Sequence, residues 1–317
     1  MRRHCIYLVK RLCSSHGIYP RSFRLPVGHV QKQGEAVSFG GFGDVWRGDY
    51  NGRAVAIKEL RPSTNGRNSL DALKILCKEA AIWKYLDHPN VTKFHGVIAL
   101  RGCIGLVSTW MENGTLQDYL NTKLDSDRFE LIKNVIDGLC YLHEILLCHG
   151  DLKALNILVD KHGIASLTDF GLAAFSYNEQ TQFIMETSVQ SMSTRWAPPE
   201  LVDPTQFDKE KATPSPQSDV YSFAWVMWEV FTGRCPFYGT HPHAVYGAIM
   251  KGIRPARPTQ AESIGLSKQV WKLMERCWNH HEAMRPSMSL VQQRFKEISE
   301  ERKIKTPGVP RSWPLEI

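Results

Sequence analysis

The sequence predicts an α+β chain in two parts: a small antiparallel sheet with one main helix, then a larger, mostly helical part. Three observations lead there. Short β-prone runs punctuated by glycine fill residues 35–58 and return at 91–108. One long helical pattern interrupts them. Beyond Gly114 the periodicity turns helical, with Leu131, Ile132, Val135, Ile136, Leu139 and Leu142 on one stripe, and Val220–Phe231 apolar nearly all round.

In chain order, residues 1–29 read as a basic, helical extension in which Val9, Leu12 and Cys13 have the spacing of a helix that packs on a domain. The absence of Asp and Glu from residues 1–34 leaves an organelle presequence as the alternative. Glu35–Phe39 and Val45–Arg47 form a hairpin around a glycine cluster, and Asn51-Gly52 turns the chain into a strand over Arg53–Lys58. A helix over about residues 69–86 stops before His88-Pro89-Asn90. Val91–Ile98 and Ile104–Ser108 are further strands, and the sheet-plus-helix part ends near Trp110. In the second part, Ala212–Ser218 is expected as a loop, Trp271–Trp278 and Leu290–Ile298 as helices, and residues 301–317 as an irregular tail rich in proline from Thr306.

Composition limits the function classes. The chain has 317 residues, 43% hydrophobic and 22% charged, which suits a soluble globular protein of about two domains. A net charge of +7 is mild; it fits a solvated basic surface, with phosphate affinity or an acidic partner as the sharper reading. Eight cysteines without a CxxC pair read as free, mostly buried thiols of a reducing compartment. No apolar run reaches the length of a membrane span, and Lys10 and Arg11 interrupt any secretory core, so a cytoplasmic location is expected. Zinc spacings and RNA-binding signatures are absent, so no nucleic-acid partner is expected.

The chemistry is carried by Cys148–Asn156 and by Thr168-Asp169-Phe170-Gly171. Asp151 can take a hydroxyl proton, Lys153 can neutralise a moving phosphate, and Asn156 and Asp169 offer oxygens to magnesium. Upstream, the loop Val37, Ser38, Phe39, Gly40, Gly41, Phe42, Gly43, Asp44, Val45 lies between two strands, where glycines let backbone amides approach a triphosphate. Alone it is equally a plain glycine hairpin. Strand alternation puts Ala56 and Lys58 on one face, where the alanine admits a base and the lysine holds phosphates. Glu79 shares a helical face with Ile75, Leu76, Ile82 and Trp83, while Lys78 points elsewhere. An acid on such a face demands a cation, and Lys58 is the natural one.

In order and approximate spacing these motifs resemble a eukaryotic protein kinase over residues 30–300, with an N-lobe over about 30–110 and a C-lobe over about 111–300. Arg195–Glu200, Ser218–Phe223, Cys277-Trp278 and Arg285-Pro286 add to the likeness. The resemblance implies a bilobal kinase fold and an ATP- and Mg2+-dependent enzyme. Lys58, Glu79, Asp151, Lys153 and Asn156 would be catalytic, and Asn156 and Asp169 the metal ligands. It implies Glu200 paired with Arg285, and Asp219 bracing the loop at Asp151. Val45, Ala56 and Leu158 would enclose adenine, Ser108 would gate the pocket behind it, and Thr109 to Met111 would form the hinge. Trp83, Phe94, His149 and Phe170 would stack as a column. Arg195-Trp196 is tyrosine-kinase-like and Asp151-Leu152-Lys153 follows the Ser/Thr pattern, a mixture typical of the tyrosine-kinase-like group. With Ser193 where Ser/Thr kinases carry a threonine, the implied partner is a protein substrate with a Ser or Thr acceptor.

The sequence also departs from the family pattern. Ser38 replaces the first loop glycine, Gly150 an arginine that pairs with a phosphorylated segment, and Ala197-Pro198-Pro199-Glu200 the usual Met-Ala-Pro-Glu. Phosphorylation at Thr181, Thr187, Ser188 or Ser191 is therefore not expected to be required. A pseudokinase scaffold, a tyrosine or dual-specificity kinase, and a small-molecule kinase remain the rival readings.

Overall fold

The computed structural model describes residues 2–26, 28–40, 43–59, 67–100, 103–175, 193–302 and 308–317. The chain divides into two compact units, Met1–Glu112 with Asp169–Gly171, and Asn113–Thr168 with Leu172–Ile317.

The first unit is built on a five-stranded antiparallel sheet in the order β1-β2-β3-β5-β4. Its strands are β1 (Val30–Gly40), β2 (Gly43–Tyr50), β3 (Arg53–Glu59), β4 (Phe94–Leu100) and β5 (Cys103–Thr109). Asn51 and Gly52 both have positive φ, 53° and 76°, which is what a two-residue hairpin between right-twisted strands requires. Register then sorts the side chains. Val45 pairs with Lys58, Arg47 with Ala56, Ala56 with Ser108 and Lys58 with Leu106, so all six stand on one face. The opposite face carries the core of Val55, Ile57 and Val107 with Val30 and Ile98, against which Leu25, Trp46 and Tyr50 pack. Strand β1 begins earlier than the expected Glu35 and is bulged around Ala36. Strand β4 begins at Phe94, after an isolated bridge at Val91, instead of at Val91.

Two helices complete this unit: α1 (Arg2–His16) and α2 (Arg67–Trp83), which pack on each other. Helix α2 ends three residues before the expected Leu86, in a turn where Tyr85 and Leu86 donate to Ile82 and Trp83 carbonyls. In α1 the expected packing face shifts. Cys13 is buried but Leu12 is 57% exposed, and Lys10 and Ser14 are buried in its place. Lys78 of α2 is also buried, and burial lowers its pKa to about 8.

The second unit is mostly helical, with α3 (Leu116–Thr122), α4 (Arg128–Glu144), α5 (Pro199–Val202), α6 (Pro216–Thr232), α7 (Pro242–Met250), α8 (Lys268–Cys277) and α9 (Met288–Glu300). Two short ladders join β6 (Leu147–Cys148) to β9 (Ala174–Phe175) and β7 (Ile157–Val159) to β8 (Ala165–Leu167). Helix α6 starts inside the stretch expected as a loop. Ser215 accepts from Ser218 N–H while Ser218 Oγ accepts from Ser215 N–H, and Pro216 takes the first helical position, where its missing N–H costs nothing. Every residue from Ser218 to Thr232 is buried, so α6 is the axis of the unit. The irregular C-terminal residues dock on its end: Leu315 N–H donates to Thr232 O and Arg234 Nε donates to Leu315 O.

Glu200 and Arg285 form a two-point ion pair at 2.6 and 2.8 Å with both side chains essentially unexposed. Arg285 also donates to the carbonyls of Gln217, Asn279 and His280. Removing one partner of such a pair strands the other charge in a dry site. Glu200→Ala is expected to lower the unfolding free energy by about 3–5 kcal/mol in urea titrations, and a loss below about 1 kcal/mol would contradict the strut.

Candidate active site

In the first unit, β3 carries Lys58 next to its last residue, α2 brings Glu79 over the sheet, and Asp169 completes the group. Lys58 Nζ donates to Glu79 Oε1 and Oε2 at 3.1 and 3.2 Å and to Asp169 Oδ1 at 2.8 Å. Glu79 is 3% exposed. Burial pulls the Lys58 pKa down, but the two carboxylates outweigh it and hold the ammonium protonated well above its usual range. Burial pushes the Glu79 carboxyl up, with Lys58 opposing. Lys58 is thus shared between two acids. Asp169 is a hard oxygen donor of the kind magnesium takes. Among the described residues no cluster of three or more His, Cys, Asp or Glu is disposed to hold a metal alone, so phosphate oxygens would have to complete the shell. Asp169 has φ 66°, a costly backbone for a non-glycine residue, of order 1–3 kcal/mol, and such strain clusters at working sites. Nearby, Trp83 stacks on Phe94 at 5.3 Å and meets Phe170 at 5.8 Å.

The other first-unit candidates are arranged along the strands. Val37 is 59% exposed in β1, and Ser38, Phe39 and Gly40 close that strand. Gly43, Asp44 and Val45 open β2. Gly41 and Phe42 lie outside the described residues. Ala56 stands opposite Ser108, which is buried, and Thr109 ends β5 with its Oγ1 at 3.0 Å from His95 Nε2. Met111 follows, 7% exposed.

In the second unit the loop after β6 gathers a different group. Asn156 Nδ2 donates to Asp151 O at 2.7 Å and to Asp151 Oδ2 at 2.9 Å, which leaves the amide oxygen of Asn156 as the group to offer a hard cation. Lys153 Nζ donates to Asp151 Oδ2 at 2.9 Å and to Ser193 Oγ at 2.6 Å. Ser193 N–H lies 3.4 Å from Asp151 Oδ1. Leu158 sits half-buried in β7.

Helix α6 pegs this loop at both ends. Near its start, Asp219 accepts from the N–H groups of His149 at 2.8 Å and Gly150 at 3.0 Å, and bonds His143 Nε2 at 2.9 Å. Near its end, Glu229 Oε2 accepts from Ala154 N–H at 3.0 Å and from Trp196 Nε1 at 2.8 Å. Glu229 is absent from the sequence-based candidates. The signal was available: it is the lone acid of the apolar run Val220–Phe231, the same pattern that singles out Glu79. Arg195, beside Trp196, donates to the carbonyls of Pro236, Phe237 and Thr240 and fixes the loop before α7.

Gly150 has φ 81°, and a Cβ there would sit 2.8 Å from Leu172 O. The loop thus takes a path on which a side chain is strained whatever its chemistry. Thr181, Thr187, Ser188 and Ser191 lie outside the described residues.

A lysine locked to a helix acid and, separately, an aspartate flanked by a lysine and an asparagine define the protein kinase fold. Residues 31–295 match the family described as protein tyrosine and serine/threonine kinase, and the chain belongs to it. It is 30% identical over 278 residues to serine/threonine-protein kinase STY46 of Arabidopsis thaliana, covering 85% of this chain and 44% of that protein. It is 28% identical over 268 residues to tyrosine-protein kinase FRK of Homo sapiens, covering 82% and 50%. Similarity to dual specificity protein kinase shkB of Dictyostelium discoideum is 28% over 277 residues, covering 84% and 39%. The chain spans half or less of the length of these relatives. No helix among the described residues is long and apolar enough to cross a membrane.

Burial raises the Glu229 pKa from 4.5 to about 7, against the opposing bonds from Trp196 and Ala154. The folded chain therefore keeps a proton that the unfolded chain has released. The stability this confers is fully present below pH 4.5 and is lost as the pH rises through about 7. Glu229→Gln keeps an acceptor oxygen without the titration. Its unfolding free energy should fall less than the parent's between about pH 5 and pH 8. Identical slopes in parallel denaturant titrations would contradict the assignment.

Proposed function

We propose that this chain is the catalytic part of a protein kinase that transfers the γ-phosphate of ATP, with magnesium, to Ser or Thr hydroxyls of protein substrates. The observation that carries the proposal is the Asp151 cluster, a carboxylate oriented by Asn156 and Lys153. Asp151 accepts the acceptor hydroxyl's proton as that oxygen attacks phosphorus and the bond to the leaving diphosphate oxygen breaks. Lys153 neutralises charge on the transferred group. Lys58, held in place by Glu79, grips the non-transferred phosphates. Asp169 in the first unit and Asn156 in the second would each have an oxygen to offer magnesium, which when bound would draw charge from phosphate oxygens. In the first unit the backbone of Val37–Gly40 and Gly43–Val45 is assigned to the phosphates, Val45 and Ala56 to the base, and Thr109 and Met111 to its main-chain contacts; in the second unit Leu158 is assigned to the base.

Ser/Thr preference is supported by the Lys153–Ser193 bond, which occupies the place of the Ser/Thr-kinase threonine, and by similarity to the serine/threonine-protein kinase of Arabidopsis. Arg195-Trp196 and the tyrosine and dual-specificity relatives favour a second reading, in which tyrosine is also accepted. A pseudokinase scaffold draws on Ser38 and Gly150 alone, whereas every chemical group that the transfer needs is present.

Asp151→Ala should lower the rate of phosphate transfer to a Ser/Thr/Tyr peptide library by about 10²–10⁴ while leaving MgATP binding in place. Phosphopeptide mapping of the same reactions reads acceptor preference. An undiminished rate in this variant would remove Asp151 from the chemistry.

A further inference from the structure

The acid that steadies Lys58 rides on α2, and α2 is buried on more than its sheet-facing side. Leu76 through Trp83 are all buried, including Cys77 and Ala81, both 0% exposed. The sheet explains one side only, through Glu79, Trp83 and the Phe94 stack. The other side is met by α1, whose inward residues Lys10, Cys13 and Ser14 are 2–3% exposed while Leu8 and Leu12 face out at 44% and 57%. Burial, with Cys13 adding to it, pushes the Cys77 thiol up to about 12.

Past α1 the chain continues to grip the same helix. Gly17 N–H closes α1 on Cys13 O at 2.9 Å. Phe23, 2% exposed, meets Tyr85 edge-on at 6.2 Å just beyond the end of α2, with Lys84 over its ring at 5.9 Å. Arg24 then bridges Val97 in parallel, and Leu25 N–H donates to Val97 O at 2.9 Å. Gly96 makes the room: a Cβ there would lie 2.5 Å from Phe23 O and 2.7 Å from Leu25 Cδ2. Residues 8–25 thus pack on α2 and hold the turn just beyond its C-terminal end, and are tied to the sheet through β4.

A buried carboxylate bonded to Lys58 at 3.1 and 3.2 Å tolerates little displacement of its helix. We propose that the N-terminal segment is a built-in clamp on α2, with Cys13, Ser14 and Phe23 as positioning residues that keep Glu79 on Lys58 and so set the affinity for MgATP. The nucleotide part rests on the assignment of Lys58 to ATP phosphates.

The test compares the full chain with Ser14→Glu, with the exposed control Leu12→Glu, and with a chain lacking residues 1–17, to which a peptide of residues 1–17 is added back. Three quantities are read: the rate of Lys58 acylation by an amine reagent without nucleotide, the rate of Cys77 labelling by a thiol reagent, and the MgATP Kd by calorimetry. Breaking the clamp frees Lys58 from its partner and uncovers Cys77. Ser14→Glu and the truncation should raise both labelling rates and the Kd by about tenfold or more, the peptide should reverse the truncation, and Leu12→Glu should change nothing. Wild-type Lys58 acylation in both altered chains overturns the proposal, as does uncovering of Cys77 without a change at Lys58. If the full chain itself fails to bind MgATP, the nucleotide assignment falls alone, and Lys58 acylation still decides whether the segment clamps α2.

Discussion

The first unit is organised around one lysine held between two carboxylates. Lys58 bonds Glu79 and Asp169 at 2.8–3.2 Å, and neither acid is at ease without it. Glu79 is buried, and Asp169 has a left-handed backbone that few residues accept. Antiparallel register puts Lys58 on the same face as Val45, Ala56 and Ser108, so one alternation places both the cation proposed for the phosphates and the apolar residues proposed for the base. The opposite face is spent on the core of Val55, Ile57 and Val107. A one-residue slip in β3 would exchange the two faces, which is why the Asn51-Gly52 turn matters to the chemistry as well as to the fold.

The second unit solves a parallel problem with a buried helix. Helix α6 carries Asp219 and Glu229, whose oxygens accept from backbone amides of residues 149–154. The loop needs such support because it has little regular structure: a two-residue strand, a left-handed glycine and a single 3-10 turn. Glu229 joins it to Trp196, so the loop and the segment leading to the Glu200–Arg285 pair share one carboxylate. The strained path at Gly150 follows from the same economy. A glycine there removes the usual arginine and gives the backbone a turn that a side chain would resist.

Much of this was legible in the sequence because the physics was local. Alternation in Val55–Lys58 and the turn residues placed the hairpins. Glu79 was readable because a lone acid on an apolar stripe must find a cation, and Lys58 was at hand. Glu229 meets its burial differently, through the Ala154 amide and the Trp196 indole, partners that leave no charged signature in the sequence. Element ends moved by a few residues for identifiable reasons: Ser215 and Pro216 start α6 inside a stretch whose composition resembles a loop. The N-terminal segment was the least legible. Among the described residues of α1 its docking face is Lys10, Cys13 and Ser14 rather than Leu12, and its room on β4 depends on a glycine far along the chain. Hydrophobic spacing cannot report a contact made by small and polar side chains.

The measurement closest to the central claim is MgATP titration calorimetry on the parent chain and on Glu79→Gln. Glutamine preserves shape and removes the charge that fixes Lys58. A loss of affinity of about tenfold or more, with the second unit's unfolding unchanged, is the result expected if Lys58 grips phosphates from a position set by Glu79. Equal affinity in the two proteins would contradict it.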